Sequence, residues 1–275
     1  MSDPTEPDDG RTVRPALAGY VDSHCHLHDT RGVPPEDVVA AALAAGVTAM
    51  IDVGCDAATT QSAIRFARRY PGTVFATAGL HPHEASHGVE TILPFLDDPA
   101  IVAIGETGLD HFYDHSPGDA QRAAFAAQIQ LAHERGLALV IHTRDAWDET
   151  FDILAAEGMP ERTVFHCFTG GPDEARRCLD LGAFLSFSGI VTFKSATDLQ
   201  AAARLCPADR MLAETDSPYL APVPFRGRTN EPAHVTHVVR FLADLRGEAV
   251  DAVRSATALN ADAVFRCLAF PRDCS

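Results

Sequence analysis

Five separated segments of the chain end in side chains that hold divalent metal ions: Asp22-Ser-His24-Cys-His26, Gly105-Glu106, Ile141-His142, Phe165-His166 and Glu214-Thr-Asp216. Neutral imidazole nitrogen suits zinc, manganese, cobalt or nickel, and carboxylate oxygen suits harder ions as well. His24 and His26 are two residues apart, so on a strand both face one way, roughly 7 Å apart, and a curved strand end brings them onto one ion. Cys25, the cysteine closest to these ligands in sequence, then faces the other way. Glu106 follows Ile101-Val-Ala-Ile104-Gly105, and a carboxylate just past a buried strand carries a desolvation cost unless it is paired or ligated. Its two oxygens also let it bridge two cations. His142 and His166 each close an apolar strand, and Asp216 ends the last one, where a ring would bring it opposite His24 and His26. The expected arrangement is a pair of ions about 3.5–4 Å apart, a spacing that suits activation of water and stabilisation of a transferring phosphoryl group. One ion falls to His24, His26, Glu106 and Asp216, the other to Glu106, His142 and His166. Glu214 and Asp22 either support these ligands or serve local structure, Asp22 by orienting a ligand histidine through its second nitrogen.

Other residues fall where a substrate would meet such ions. Gly79-Leu-His81-Pro-His83 sets His81 at the end of a strand, facing substrate phosphate or the second ion, with His83 farther into the loop. Arg144, two residues past His142, offers a paired contact to phosphate, and Asp145 is placed to cap the next helix. Arg228 is a second candidate for phosphate. Lys194 and Ser188 are weaker ones. His28 and His111 read as entrance residues and His133 as a helix-surface residue.

The elements that must position these groups repeat one phrase: a short apolar strand, a polar loop and an alanine-rich helix. Strands are expected at 19–22, 49–53, 74–78, 101–104, 138–141, 163–165, 183–187 and 211–213. Eight such phrases in about 250 residues predict a (β/α)8 TIM barrel with the metal site at the C-terminal mouth of the strands. An open doubly wound sheet is the runner-up. It would leave some ligand-bearing strands far apart, whereas a ring gathers strands one, four, five, six and eight around one mouth. Ser116-Pro117 reads as a cap with proline at the first helical position and Gly136 as the stop of that helix. Asp56, Glu174 and Glu231 mark other helix starts. The stretch 218–232, rich in Pro, Arg and Gly, reads as a long loop at the same mouth.

A net charge of -16 over 275 residues argues against a broad basic face that binds duplex by counterion release. It leaves phosphate chemistry open, because acids that hold cations make a site attractive to anions. Seven cysteines without a Cys-x-x-Cys pair suggest free thiols in a reducing compartment. Residues 1–18 are expected to form a flexible polar tail and 19–275 a single domain. Neither a secretory signal nor a membrane-length apolar window is read, so a cytoplasmic location is expected. Phosphate-loop and Gly-x-Ser-x-Gly nucleophile motifs are missing from the sequence.

Taken in order, Asp22-Ser-His-Cys-His26, Gly79-Leu-His-Pro-His83, Gly105-Glu-Thr-Gly-Leu-Asp110, Ile141-His-Thr-Arg-Asp-Ala146, Phe165-His-Cys-Phe-Thr-Gly170, Glu214-Thr-Asp-Ser-Pro-Tyr219 and Arg228-Thr-Asn-Glu-Pro232 resemble the TatD-family metal-dependent deoxyribonucleases of the amidohydrolase-like barrel superfamily. The resemblance runs from Tyr20 to Phe265. It implies a TIM barrel, metal binding by His24, His26, Glu106, His142, His166 and Asp216, and two divalent ions, magnesium or manganese for activity with zinc or another transition metal as alternatives. It also implies hydrolysis of DNA, expected as 3'-5' exonuclease action on single strands or 3' ends that releases nucleoside 5'-phosphates. Asp216 would orient or deprotonate the attacking water, and His81, Arg144 and Arg228 would contact substrate. No obligate protein partner is expected. Thr169 stands where the family commonly has serine, keeping the hydroxyl. The competing reading is a metal-dependent deacylase or amidohydrolase, including one that deacylates aminoacyl-tRNA. Many binuclear amidohydrolases bridge their ions with a carboxylated lysine, and the corresponding place here offers Glu106.

Overall fold

The computed structural model describes residues 19–113 and 115–266. The expected tail, residues 1–18, lies outside the described residues, as do 267–275. Eight strands form one parallel sheet in sequential order: β1 (Tyr20–Cys25), β2 (Val47–Asp52), β3 (Val74–Ala78), β4 (Ile101–Asp110), β5 (Ala138–Arg144), β6 (Thr163–Phe165), β7 (Phe184–Phe187) and β8 (Met211–Ala213). The seam between first and last strands closes where Asp216 N donates to His24 O and His26 N donates to Ser217 O, each at 2.9 Å, around a parallel bridge from Cys25 to Ser217. Sequential order and this closure select the barrel over the doubly wound sheet, whose strand order reverses.

Helices α1 (Pro35–Ala44), α2 (Ala57–Arg69), α3 (Gly118–Arg135), α4 (Trp147–Glu157), α5 (Pro172–Asp180), α6 (Thr197–Leu205), α7 (Val235–Arg246) and α8 (Val250–Phe265) wrap the strands. The period of two in β5 shows how the layers separate. Leu139 and Ile141 join the cluster holding Phe125, Ile129, Phe151 and Leu154 of α3 and α4. Ala138 and Val140 join Ile51, Ala103 and Val164 inside the ring. His142 continues the inward phase, which delivers its imidazole to the mouth.

Two of the register shifts in the sheet bear on the site. They fall between Asp22 and Cys25 in β1 and between Ile104 and Thr107 in β4, and each re-aims the side chains that follow. At the second, Gly105 has φ 139, and a Cβ there would meet Val140 O at 2.6 Å. With side chains absent at this point, Glu106 N reaches Gly54 O at 3.0 Å.

Helix signals hold unevenly. Asp56 caps α2 in a reciprocal box with Thr59, accepting from its N–H at 2.7 Å. Glu174 accepts from Gly171 N at 2.8 Å at the start of α5, and Gly136 ends α3 at φ 58. Ser116 does not cap α3. The helix starts at Gly118 with Pro117 as the flanking residue, and the Ser116 hydroxyl donates instead to His83 O at 2.7 Å. Asp145 does not cap α4 either, because the flanking residue is Ala146 and no side chain caps it. Glu231 precedes a short 3-10 turn, Pro232–His234, that delays α7 to Val235.

Candidate metal centre at the barrel mouth

The mouth opens into a cavity of about 1090 Å³. Glu106 sits at its centre, 4 % exposed, inside β4 rather than past it, since that strand continues to Asp110. Its two oxygens look in different directions. Oε2 lies 3.4 Å from His24 Nε2 and accepts from the Cys55 thiol at 3.7 Å. Oε1 lies 2.7 Å from His166 Nε2, 3.0 Å from His142 Nδ1 and 3.5 Å from His81 Nε2.

On the β1–β8 side, His24 Nε2 and His26 Nε2 are 3.3 Å apart, and Asp216 Oδ1 is 3.4 Å from His26 and 3.8 Å from His24. On the β3–β5 side, His142 Nε2 lies 3.1 Å from Asp110 Oδ2, which also receives His83 Nε2 at 3.0 Å. His166 stands between the two, stacked on His24 with ring centres 3.8 Å apart. Two groups of donor atoms are thus close enough for one ion each: His24, His26 and Asp216, and His81, Glu106 and His142. A third, His26, Cys55 and Glu106, overlaps both, and a fourth sets Glu214 with His24 and His166.

The donor set fits divalent cations. His24 Nδ1 and His166 Nε2 are buried without a hydrogen-bond partner, although His166 Nε2 is 2.7 Å from a carboxylate oxygen. The contact of His166 Nε2 with Glu106 Oε1 lacks the alignment of a hydrogen bond, as expected of two ligands aimed at a common point rather than at one another. The electrostatics agree. Burial works against the ionised form of Glu106, yet the imidazoles of His166 and His81 outweigh it and hold its pKa well below the usual range. Asp216 is likewise held low against burial by His26 and His24. Burial opposes the charged form of His166, but Glu106 and Glu214 raise its pKa well above that of free imidazole. Burial drives His24 down, helped by His166, and drives His81 well down. Ionised acids packed among imidazoles at this density supply the negative and lone-pair sites a divalent ion requires.

The structure gathers all six sequence-expected ligands, His24, His26, Glu106, His142, His166 and Asp216, and adds His81 beside them. Glu214 takes the orienting role: its Oε1 accepts from Cys167 N at 2.8 Å and lies 3.2 Å from His166 Nδ1. Asp22 does not orient a ligand ring. Its carboxylate accepts from Thr215 N at 2.8 Å and Thr215 Oγ1 at 2.6 Å and thereby ties β1 to β8. Arg144 lines the cavity. Arg228 is exposed on the 218–232 loop and does not line it. His28 lines it too, whereas His111 pairs with Glu149 at 2.9 Å. Cys25 turns away from the ligands as its place in the strand predicts, buried in the core and donating to Ile51 O. The thiol at the centre is Cys55, whose pKa burial pushes up to about 11. Asp110 was also missed as a partner of His142. Its signal was its place in the Glu106–Asp110 run.

An eight-stranded parallel barrel with histidines and acids converging at its C-terminal mouth defines the class of metal-dependent barrel hydrolases. The family follows from the sequence itself: the model of the TatD related DNase family matches residues 21–266, and the chain belongs to that family. It is 40% identical over 250 residues to "Uncharacterized metal-dependent hydrolase YcfH" of Escherichia coli (strain K12), covering 87% of this chain and 93% of that one. It is 38% identical over 241 residues to "3'-5' ssDNA/RNA exonuclease TatD" of Klebsiella pneumoniae (strain 342), covering 84% and 91%. The solved structure of YJJV, a TatD homolog from Escherichia coli K12, superposes with a TM-score of 0.84 at 27% identity over 91% of this chain and 99% of that one.

Proposed function

We propose that this chain hydrolyses phosphodiester bonds as a metal-dependent 3'-5' exonuclease on single-stranded DNA, releasing nucleoside 5'-phosphates, with residues 19–275 acting as one domain. The observation that carries the reading is Glu106, whose two oxygens face separate sets of imidazoles, the arrangement a bridging carboxylate requires. Two ions would be held, one by His24, His26 and Asp216 and the other by His142 and His166, with Glu106 serving both. With this many imidazoles the donor set favours manganese or zinc over magnesium, which prefers oxygen ligands and retains water. Bound there, such ions lower the pKa of water and stabilise charge on phosphoryl oxygens.

The residues around them supply the rest. Asp216, ionised and open to the cavity, accepts the proton of the attacking water. Arg144 at the end of β5 contacts a substrate phosphate, a role that its place at the mouth favours over Arg228. His81, held neutral by burial, donates a hydrogen bond to a phosphoryl oxygen without adding charge. The described cysteines are free thiols, which suits the reducing cytoplasm, and no helix among the described residues is long and apolar enough to cross a membrane.

The test is digestion of single strands labelled at either end, beside an aminoacyl ester and a cyclic amide, with metal content measured on the same protein. Release of 5'-mononucleotides from the 3' end, two equivalents of metal and loss of turnover in Asp216→Asn are expected. Turnover of the ester or amide in preference to DNA would replace this reading with the deacylase or amidohydrolase one.

A further inference from the structure

Among the described residues, three large aromatic side chains are exposed: Phe112 at 56 %, Tyr113 at 44 % and Tyr219 at 47 %. All three line the mouth cavity. The other exposed large hydrophobic residues are aliphatic, as expected of scattered surface positions. Large rings that keep about half their surface in water despite neighbouring contacts carry a hydration cost, so confinement of all three to one opening calls for an occupant.

Their placement says which one. Phe112 and Tyr113 follow β4, and Tyr219 lies beyond β8, so in a ring of eight strands the two sets stand on opposite flanks of the metal centre. On one flank, Tyr113 packs edge-on against His83, 5.5 Å between centres, and His83 shares Asp110 with His142. On the other, Tyr219 meets His26 at 6.1 Å. Each set also carries a guanidinium: Arg144 lies 3.9 Å over the Phe112 ring and 4.9 Å from that of Tyr113, and Arg31 lies 5.2 Å over Tyr219. Flat π surface and positive charge therefore alternate across the opening, which matches a chain of alternating bases and phosphates. In a duplex the base faces are occupied by neighbouring bases, so only an unpaired strand offers them. The net charge of -16 opposes long-range attraction of a polyanion and so shifts weight from charge to stacking.

We infer that Phe112 and Tyr113, with Arg144, and Tyr219, with Arg31, form two stacking ledges that grip unpaired bases of single-stranded nucleic acid on both sides of the metal centre. The inference rests on the phosphodiesterase reading for its ligand, but it is measured by binding and not by turnover.

The experiment titrates full-length, metal-loaded protein against a labelled phosphorothioate single strand, which resists hydrolysis, and against an abasic phosphorothioate strand of equal length. Fluorescence anisotropy reads Kd. Wild type should bind the base-bearing strand at least tenfold more tightly. Phe112→Ala/Tyr113→Ala and Tyr219→Ala should each weaken that strand by roughly five- to 100-fold, the range for losing one stacked base, and leave the abasic strand unchanged. Phe112→Leu/Tyr113→Leu, which keeps bulk without a π face, should behave like the double alanine variant, and Phe112→Trp/Tyr113→Trp should bind like wild type. Equal affinity of wild type for both strands, or variants that weaken both strands alike or neither, overturns the inference. Base-dependent binding by a wild type that cleaves no unmodified strand refutes the exonuclease reading and leaves the ledges standing.

Discussion

The two ends of the same strands follow opposite rules. At the amino-terminal end Val21, Ala49, Val102, Ala138, Val164 and Leu212 fill the ring and pack with Ala258, Ala261, Val264 and Phe265 of α8. At the carboxyl-terminal end, a few residues further along, His24, Glu106 and His166 are as thoroughly enclosed but are polar or charged, and His142 is partly open to the cavity. Apolar burial at one end supplies the folding free energy that tolerates the electrostatic conflict stored at the other. Stability and chemistry should therefore respond to substitution independently at the two ends, and each expected effect below either separates them or shows that they are coupled.

The largest separation is expected at Glu106→Gln. The amide keeps the shape and one acceptor but loses the charge that both sets of imidazoles face. Metal-dependent turnover should fall by more than about 100-fold, beyond the range for residues that merely orient ligands, with metal content reduced. The metal-free thermal midpoint should stay within a few degrees of wild type, read by circular dichroism. A collapse of that midpoint would show that the centre also holds the barrel together.

Glu214→Gln comes next. Glu214 fixes His166 from below through Nδ1, so its loss should weaken metal binding about 10–100-fold without abolishing it. Equilibrium dialysis on purified variants checks this. A loss as complete as that of Glu106→Gln would place Glu214 among the ligands.

Much of this division was legible in the sequence, and its blind spots have physical causes. Apolar runs located all eight strands, because parallel strands buried on both faces leave a nearly continuous signal. The same signal ends where the strand turns polar, so β4 was expected to stop at Ile104 although hydrogen bonding carries it to Asp110. The register shifts in β1 and β4 are properties of strand pairing and leave little trace in either strand alone. Cys55 follows β2, a strand that offered no histidine, and it reaches Glu106 only through closure of the ring. Asp145 fits the composition of a helix cap but adopts φ 54, one residue too early to serve. Arg228 shows the limit of proximity in sequence: Asn230 and Glu231 beside it border a smaller cavity near His26, while its own side chain stays outside the larger one.

At the apolar end, Ile51→Val should cost about 1 kcal/mol and lower the thermal midpoint by about 2–4 °C. Ile51 is fully buried and its interior neighbours are Val21, Ala103 and Val140 among others. Turnover per folded molecule should not change. A drop in kcat would mean that packing at the floor reaches the mouth.

The smallest effect is expected at Asp52, where the two regimes meet. This residue ends β2 under the mouth, fully buried. Its Oδ1 accepts from Leu27 N at 2.9 Å, while Oδ2 has no hydrogen-bond partner. Burial raises its pKa to about 7, against the stabilising contribution of the Leu27 N–H. Because the folded-state pKa lies above the unfolded value near 4, the folded chain retains a proton that the unfolded chain has released. Stability therefore falls as pH rises from about 4 to 7 and stays reduced above it. Asp52→Asn removes that slope and still accepts from Leu27, but its amide leaves a buried donor without a partner, a cost of about 1–3 kcal/mol. The two terms nearly offset, so the variant should be about 1 kcal/mol more stable than wild type at pH 8 and less stable at pH 5. Urea unfolding of metal-free protein at both values measures the difference. A difference that does not change between pH 5 and pH 8 would mean that Asp52 is already ionised across this range and belongs, electrostatically, to the mouth.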